Sequence, residues 1–270
     1  NQEKIKRKEF VMDSSGGYRE NSFIAEYYDH VPRNKREVPK KFYVDAAVEC
    51  GGRVLELGCG SGIVLCAVAE AGFEIDGLDA SPSMLAKCRA KLDKLPPVAQ
   101  NRVELIEADM CSFELGKQYD LIILPFRPFN HIESAQRQLS CLQSVFHHLA
   151  PGGRVILDLF NPSLPKLSNC EEFGLPKGEE PFEMPDGRQV RRSHILHSVD
   201  YAAQQAKVEI VYDVSSPDGD RECLSHQFVF KYVFRFEMEH LLSRAGFDVE
   251  QVYGDFNRAE FEGNDCGEMI

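Results

Sequence analysis

The run Val54-Leu55-Glu56-Leu57-Gly58-Cys59-Gly60-Ser61-Gly62 constrains this chain more than any other stretch. A short apolar strand containing one carboxylate breaks into three glycines at alternate positions, and an apolar helical pattern follows from Ile63. Glycines at that spacing let a backbone turn sharply off a strand tip and lie flush against a ligand, because no Cβ intervenes. The helix that follows directs its free N–H groups at the same place. In open α/β sheets such a crevice, at the carboxyl end of a first strand, holds nucleotide-like cofactors. G-x-G-x-G alone is also a common tight turn, so the surrounding residues decide its meaning.

The dinucleotide fingerprint G-x-G-x-x-G departs from this run, because Ile63 stands where the third glycine belongs. A branched side chain there crowds the close helix–strand approach. No Gly-Lys-Ser/Thr follows, which excludes the P-loop. Glu56 at the strand tip opposes a pyrophosphate and suits a ligand carrying an ammonium and a sulfonium. With these residues the pattern closely resembles the glycine-rich motif of class I S-adenosylmethionine-dependent methyltransferases. Asp79, closing a second strand about 20 residues past the glycines, suits a ribose. Glu107-Ala108-Asp109-Met110 closes a third strand, and the resemblance implies that Asp109 binds the adenine amino group. Pro151-Gly152-Gly153-Arg154 resembles the family's turn into its fifth strand. Read singly, Asp79 is a strand end or helix cap and Asp109 a loop carboxylate; their order and spacing make the pattern.

Length and composition narrow the setting. With 270 residues, 43% apolar and 27% charged, the chain can bury a large core. A net charge of −12 speaks against nucleic acid. The basic cluster Lys4-Ile5-Lys6-Arg7-Lys8 reads as a frayed, solvated tail. Nine cysteines without a C-x-x-C read as reduced thiols of a cytoplasmic protein, with Cys59 a filler beneath the turn. No apolar run approaches a membrane span. The first residue is Asn, which reads as a trimmed start.

Residues 20–49 read as helical. Strand and helix then alternate: strands at 53–57, 73–78, 103–106, 120–124 and 154–160, helices at 63–71, 83–92 and 132–149. That alternation means a Rossmann-like, doubly wound, mostly parallel α/β sheet. Residues 162–187 read as an irregular connection. From 188 to 235 come three β-rich stretches with turns at 202–204 and 217–220, an antiparallel three-stranded insert. A helix at 237–245 and a strand ending at Tyr253 resume the first pattern. Residues 1–161 and 237–270 are thus expected to form the cofactor domain with an N-terminal helical cap, and 162–236 an insert over the active site. The order of parts is similar to small-molecule methyltransferases akin to aminosugar N,N-dimethyltransferases and glycine N-methyltransferase, whose antiparallel sheet covers the site. The family ends with an antiparallel seventh strand, and Glu268-Met269-Ile270 stops where that strand should begin, which reads as truncation.

The resemblance implies that S-adenosylmethionine meets Tyr28, Glu56, Gly58, Gly60, Gly62, Asp79, Ala80, Met84, Asp109, Met110 and Leu124, leaving S-adenosylhomocysteine as product. Methyl transfer from a sulfonium is an in-line displacement, so alignment and water exclusion matter most, worth about 7–11 kcal/mol. A base adds about 10²–10⁴-fold where the nucleophile must lose a proton. The loop Pro125-Phe126-Arg127-Pro128-Phe129-Asn130-His131 lacks the Asn/Asp-Pro-Pro-Tyr/Phe of nucleobase methyltransferases. His131 matches a histidine of the aminosugar enzymes and is the candidate base, or else caps the next helix. Arg127, Asn130, Tyr253 and Asp255 are the candidate substrate contacts, and Tyr28 the tyrosine that closes over the cofactor. No metal is expected: His194 and His197, three apart on a strand, face opposite sides, and the cysteines are scattered. The function expected is methyl transfer to N or O of a small metabolite, with neither nucleic acid nor membrane as partner and a homodimer left open. The alternatives are an S-adenosylmethionine-binding protein without turnover, a protein or tRNA methyltransferase, and an NAD-linked oxidoreductase.

Overall fold

Strands that are apolar on both faces need cover on both. The computed structural model describes residues 6–9, 18–19, 21–35, 37–263 and 267–270. In it, five strands form a parallel sheet whose central members are the most buried: β1 (Val54–Leu57), β2 (Ile75–Asp79), β3 (Val103–Glu107), β4 (Tyr119–Leu124) and β5 (Leu149–Leu157). Their spatial order is β3-β2-β1-β4-β5. Side chains alternate across the sheet. Leu55, Leu57, Ile122 and Leu124 enter one apolar core, Val54, Leu121 and Ile123 the other. Helices α1 (Glu37–Cys50), α2 (Ile63–Glu70) and α3 (Pro82–Leu92) cover the second core, and α4 (Ala135–His148) and α5 (Arg235–Ala245) the first. The strand order reverses between β1 and β4, which opens a crevice at their carboxyl ends.

The antiparallel insert forms where its turns place it, as β6 (Gln189–Asp200), β7 (Gln205–Ser215) and β8 (Arg221–Lys231). β6 bulges between Leu196 and Ser198. A third apolar core, including Tyr27, Val31, Val190, Ile210, Tyr212 and Leu224, joins the inner face of this sheet to the N-terminal segment. The stretch 162–187 is not wholly irregular: Lys177–Gly178 and Phe182–Glu183 pair with β6. Among the described residues no helix is long and apolar enough to cross a membrane.

Several expectations change. Lys6–Glu9 is not frayed; it pairs in parallel with β8, Lys6 opposite Glu222 and Glu9 opposite Ser225. An edge strand offers unpaired N–H and C=O groups, and a basic sequence can take them. Lys4 and Ile5 lie outside the described residues. The N-terminal helical region is broken at Val31, which is extended (φ −61°, ψ 122°) because Pro32 follows it. The strand expected to end at Tyr253 makes no ladder over residues 248–252, which meet β5 through the Arg154–Glu250 ion pair at 3.0 Å. Beyond them Tyr253 pairs with Ile270, and Glu268–Met269 pairs antiparallel with Leu159–Phe160.

Of the three glycines, Gly62 answers to packing. It is left-handed (φ +79°), and a Cβ there would stand 2.5 Å from Cys88 Sγ. Gly72 is also left-handed (φ +106°) but has nothing within 4 Å of such a Cβ. Gly72→Ala should therefore cost about 1–2 kcal/mol from backbone strain alone. Gly62→Ala should add overpacking of about 1–3 kcal/mol to the same strain. Urea unfolding of both variants checks the difference, and equal losses would refute the packing role.

Candidate active site

The glycine turn is held by its neighbour strand. The Gly58 and Cys59 amides donate to the Leu78 carbonyl at 2.8 and 3.0 Å. Asp79 then locks the turn: one oxygen accepts from the Gly60 amide and the other from the Ser81 amide, both at 2.8 Å. Burial pushes the Asp79 carboxyl up despite these amides. Gly58 (φ +69°) lies where a Cβ would be 2.7 Å from Pro128 Cβ, so the turn and the loop after β4 close on each other. Above them opens a cavity of about 450 Å³.

Of the expected cofactor residues, Tyr28, Gly58, Gly60, Asp79, Ala80, Met84, Asp109 and Met110 line this cavity. Three do not. Leu124 is wholly buried in the first apolar core, and Gly62 faces the thiols of Cys66 and Cys88. Glu56 sits beneath the turn, 2% exposed, and its Oε2 has no partner among the described residues. Burial, with Cys66 and Asp79 adding to it, pushes the Glu56 carboxyl well up. At the opposite end, Asp109 accepts from the Cys111 amide at 2.9 Å and pairs with Arg137 at 2.7 Å. Burial would raise Asp109, but those two partners outweigh it and hold the carboxyl below its ordinary range.

The N-terminal segment closes the cavity. The Ser61 hydroxyl and the Lys91 ammonium both reach Asp29, at 2.5 and 2.8 Å, which pins the chain beside Tyr28 to the glycine turn. The Ser81 hydroxyl donates to the Tyr18 carbonyl at 2.7 Å. Tyr18, Arg19 and Arg137 also line the cavity, and no motif pointed to them. The cysteines are less scattered than their spacing suggests: Cys59, Cys66 and Cys88 are buried together behind the turn. Hydrogen bonding to Cys88 and burial push the Cys66 thiol up, which keeps it protonated.

His131 lines the cavity, at the end of a 3₁₀ turn, Pro128–His131, that precedes α4. Its ring meets those of Phe228 (5.2 Å between centroids), Phe230 (5.6 Å) and Tyr18 (5.9 Å). The other expected substrate contacts are placed elsewhere. Asn130 is fully buried and committed to structure: its amide donates to the Lys231 carbonyl at 2.8 Å and accepts from the Phe160 amide at 3.1 Å. Arg127 pairs with Glu268 and lies over Phe160. Tyr253 packs on Phe42 at 6.3 Å, and Asp255 caps its own turn through the Asn257 and Ala259 amides. None of these four lines the cavity.

Phe126 and Arg127 are both left-handed (φ 63° and 67°), a strained state for residues with side chains. Asp158, interrupting the strand after β5, holds that loop: it accepts from the Tyr43 hydroxyl at 2.9 Å and from the Arg127 amide at 3.3 Å. The Arg127–Glu268 ion pair adds a second hold.

Residues 54–153 match the model of a methyltransferase domain. In sequence the chain is similar to the cypemycin N-terminal methyltransferase of a Streptomyces species, 32% identical over 42% of this chain and 44% of that protein. It is also similar to the putative methyltransferase YqeM of Bacillus subtilis, 27% identical over 43% and 46%. The chain thus spans under half the length of these relatives. In fold it is similar to the CcbJ methyltransferase of Streptomyces caelestis, with a TM-score of 0.73 at 22% identity over 95% of this chain and 97% of that one. The amino pentose methyltransferase CalS10 of Micromonospora echinaspora, solved with S-adenosylmethionine, gives 0.66 at 22% over 92% and 95%.

Asp158 also sets a pH dependence. Burial pushes its carboxyl up from 3.8 to about 6. As pH rises, the unfolded chain releases this proton first, so stability from this group is full below about 4 and lost by about pH 6. The loss is about 3 kcal/mol. Asp158→Asn should flatten the fall in stability between pH 4 and 6, measured by urea unfolding across that range. An unchanged slope would show that Asp158 does not titrate there.

Proposed function

We propose, on the premise that residues 54–153 form a methyltransferase domain, that the chain transfers a methyl group from S-adenosylmethionine to an amine nitrogen of a small molecule. One observation carries the choice of donor: the buried Glu56 carboxyl, with an oxygen lacking a partner among the described residues, at the root of the glycine turn. Burial alone favours its protonated form; a cationic ligand nearby would favour the carboxylate, whereas a pyrophosphate would only push the carboxyl further up. Asp79 keeps lone pairs for ribose hydroxyls, and Asp109 with Arg137 faces the far end of the cavity. Gly58 and Gly60 leave the cradle open.

S-adenosylmethionine, when bound, supplies an electrophilic methyl group on a sulfonium. The chain's residues do the rest. Tyr28 lines the cavity and excludes water there, and the Asp29–Ser61–Lys91 contacts hold its segment down. His131 lies at the cavity wall, where it can take the proton that a methylated nitrogen must lose. The rings of Phe228 and Phe230 beside His131 favour nitrogen as acceptor, because aromatic faces stabilise the positive charge that moves onto it. Structures of the same fold include a sugar N-methyltransferase, which agrees with this class of acceptor.

Thermal shift with S-adenosylmethionine and NAD tests the donor. S-adenosylmethionine should stabilise the chain and NAD should not, and Glu56→Gln should weaken S-adenosylmethionine binding about 30-fold or more. Stabilisation by NAD alone would overturn the proposal. Radiolabelled methyl transfer to an extract of small metabolites tests the reaction. With the labelled product in hand, His131→Ala should lower turnover about 10²-fold or more. If turnover scarcely moves, alignment alone carries the reaction. Binding without any transfer would leave a binding protein.

A further inference from the structure

The inner face of the covering sheet carries a polar group that methyl transfer leaves unused. His226 on β8 is 3% exposed, and its Nδ1 has no hydrogen-bond partner among the described residues. A buried polar atom is costly unless it is paired, so such an orphan needs a reason. Packing does not supply one. The imidazole stacks on Phe228 at 5.6 Å and on Tyr212 at 6.4 Å, contacts that a phenylalanine would make as well. Burial, with Arg192 and His131 adding to it, pushes His226 down to about 3, so the ring is neutral and one nitrogen can accept a hydrogen bond.

Tyr18 links this group to the cavity. Its ring lines the cavity and lies 5.9 Å from His131, 5.9 Å from Tyr28 and 6.4 Å from His226. Both imidazoles also touch the Phe228 ring. His131 and His226 therefore flank the same two rings, and of the two histidines His131 lines the cavity.

We infer that the Tyr18 ring occupies the subsite of the methyl acceptor, and that His226 is the positioning residue that takes a hydroxyl of that acceptor. The inference rests on the methyl-transfer reading and deepens it. The acceptor is an amine bearing a hydroxyl nearby: its nitrogen lies toward His131, its carbon skeleton on Phe228, and its hydroxyl donates to His226 Nδ1. Hydroxyl recognition by a buried, otherwise unpaired group is selective, because an acceptor lacking the hydroxyl leaves the nitrogen orphaned.

The chain contains no tryptophan, so Tyr18→Trp places a single reporter in the subsite. The full chain is titrated, with S-adenosylhomocysteine bound, with D-glucosamine, 2-aminoethanol and the hydroxyl-free n-butylamine. A hydroxylated amine should shift the indole emission to the red and raise its quenching by acrylamide about twofold. n-Butylamine should need about tenfold more for the same change, the equivalent of one hydrogen bond. Adding His226→Phe should abolish that preference, while His226→Gln, which retains a hydrogen-bonding side chain, should keep it. If His226→Phe does not fold, His226→Leu takes its place. An indole unmoved by either hydroxylated amine, or a preference that survives the loss of His226, overturns the inference. Failure to bind S-adenosylhomocysteine would instead remove the methyl-transfer reading beneath it.

Discussion

The Asp79 carboxylate organises the site. With one oxygen on the Gly60 amide and the other on the Ser81 amide, it ties the tip of β2 to the turn after β1 and to the start of α3. Those amides belong to the segment that must lie open to a ligand, and without the carboxylate they would face it unpaired. The same contact sets Ser81 in place, where its hydroxyl accepts from the Met84 amide and holds the Tyr18 carbonyl. One acid thus joins the sheet, the glycine turn and the cover of the cavity.

A second set of contacts works from the opposite side. The loop after β4 is strained at Phe126 and Arg127, and it persists because Asp158, Glu268 and Asn130 hold it from three directions. Asn130 matters most for geometry, since its amide joins the loop to the end of β8 and to Phe160. His131, one residue on, is thereby fixed against Phe228 and Phe230 of the covering sheet. The aromatic wall and the candidate base are placed by the same short turn.

Much of the site was legible because β-strand ends and glycines act locally. Asp79 ends a parallel strand, and Gly60 and Asp109 lie just past the ends of two others, which is where such a sheet opens its crevice. Asn130, Arg127, Tyr253 and Asp255 could not be assigned from position alone. Each finds a partner far along the chain or in its own turn, and those partners remove it from the cavity. Tyr18, Arg19 and Arg137 carried no motif because they reach the cavity from the cover and from α4, not from a strand end. The strand expected before Tyr253 shows the same limit, because pairing needs a neighbour that the local sequence does not supply.

By itself, the sequence determined the parallel sheet, the antiparallel insert and the tight course of the glycine turn. These follow from periodicity, turn residues and the absence of a Cβ, all properties of contiguous residues. Only the tertiary structure decided that Gly62 answers to the thiols of Cys88 and Cys66, that Lys6–Glu9 completes an edge, and that two histidines, 95 positions apart in the numbering, flank the same two rings. Such contacts depend on how β8 folds back over the loop after β4, and no local pattern records where a distant strand will lie.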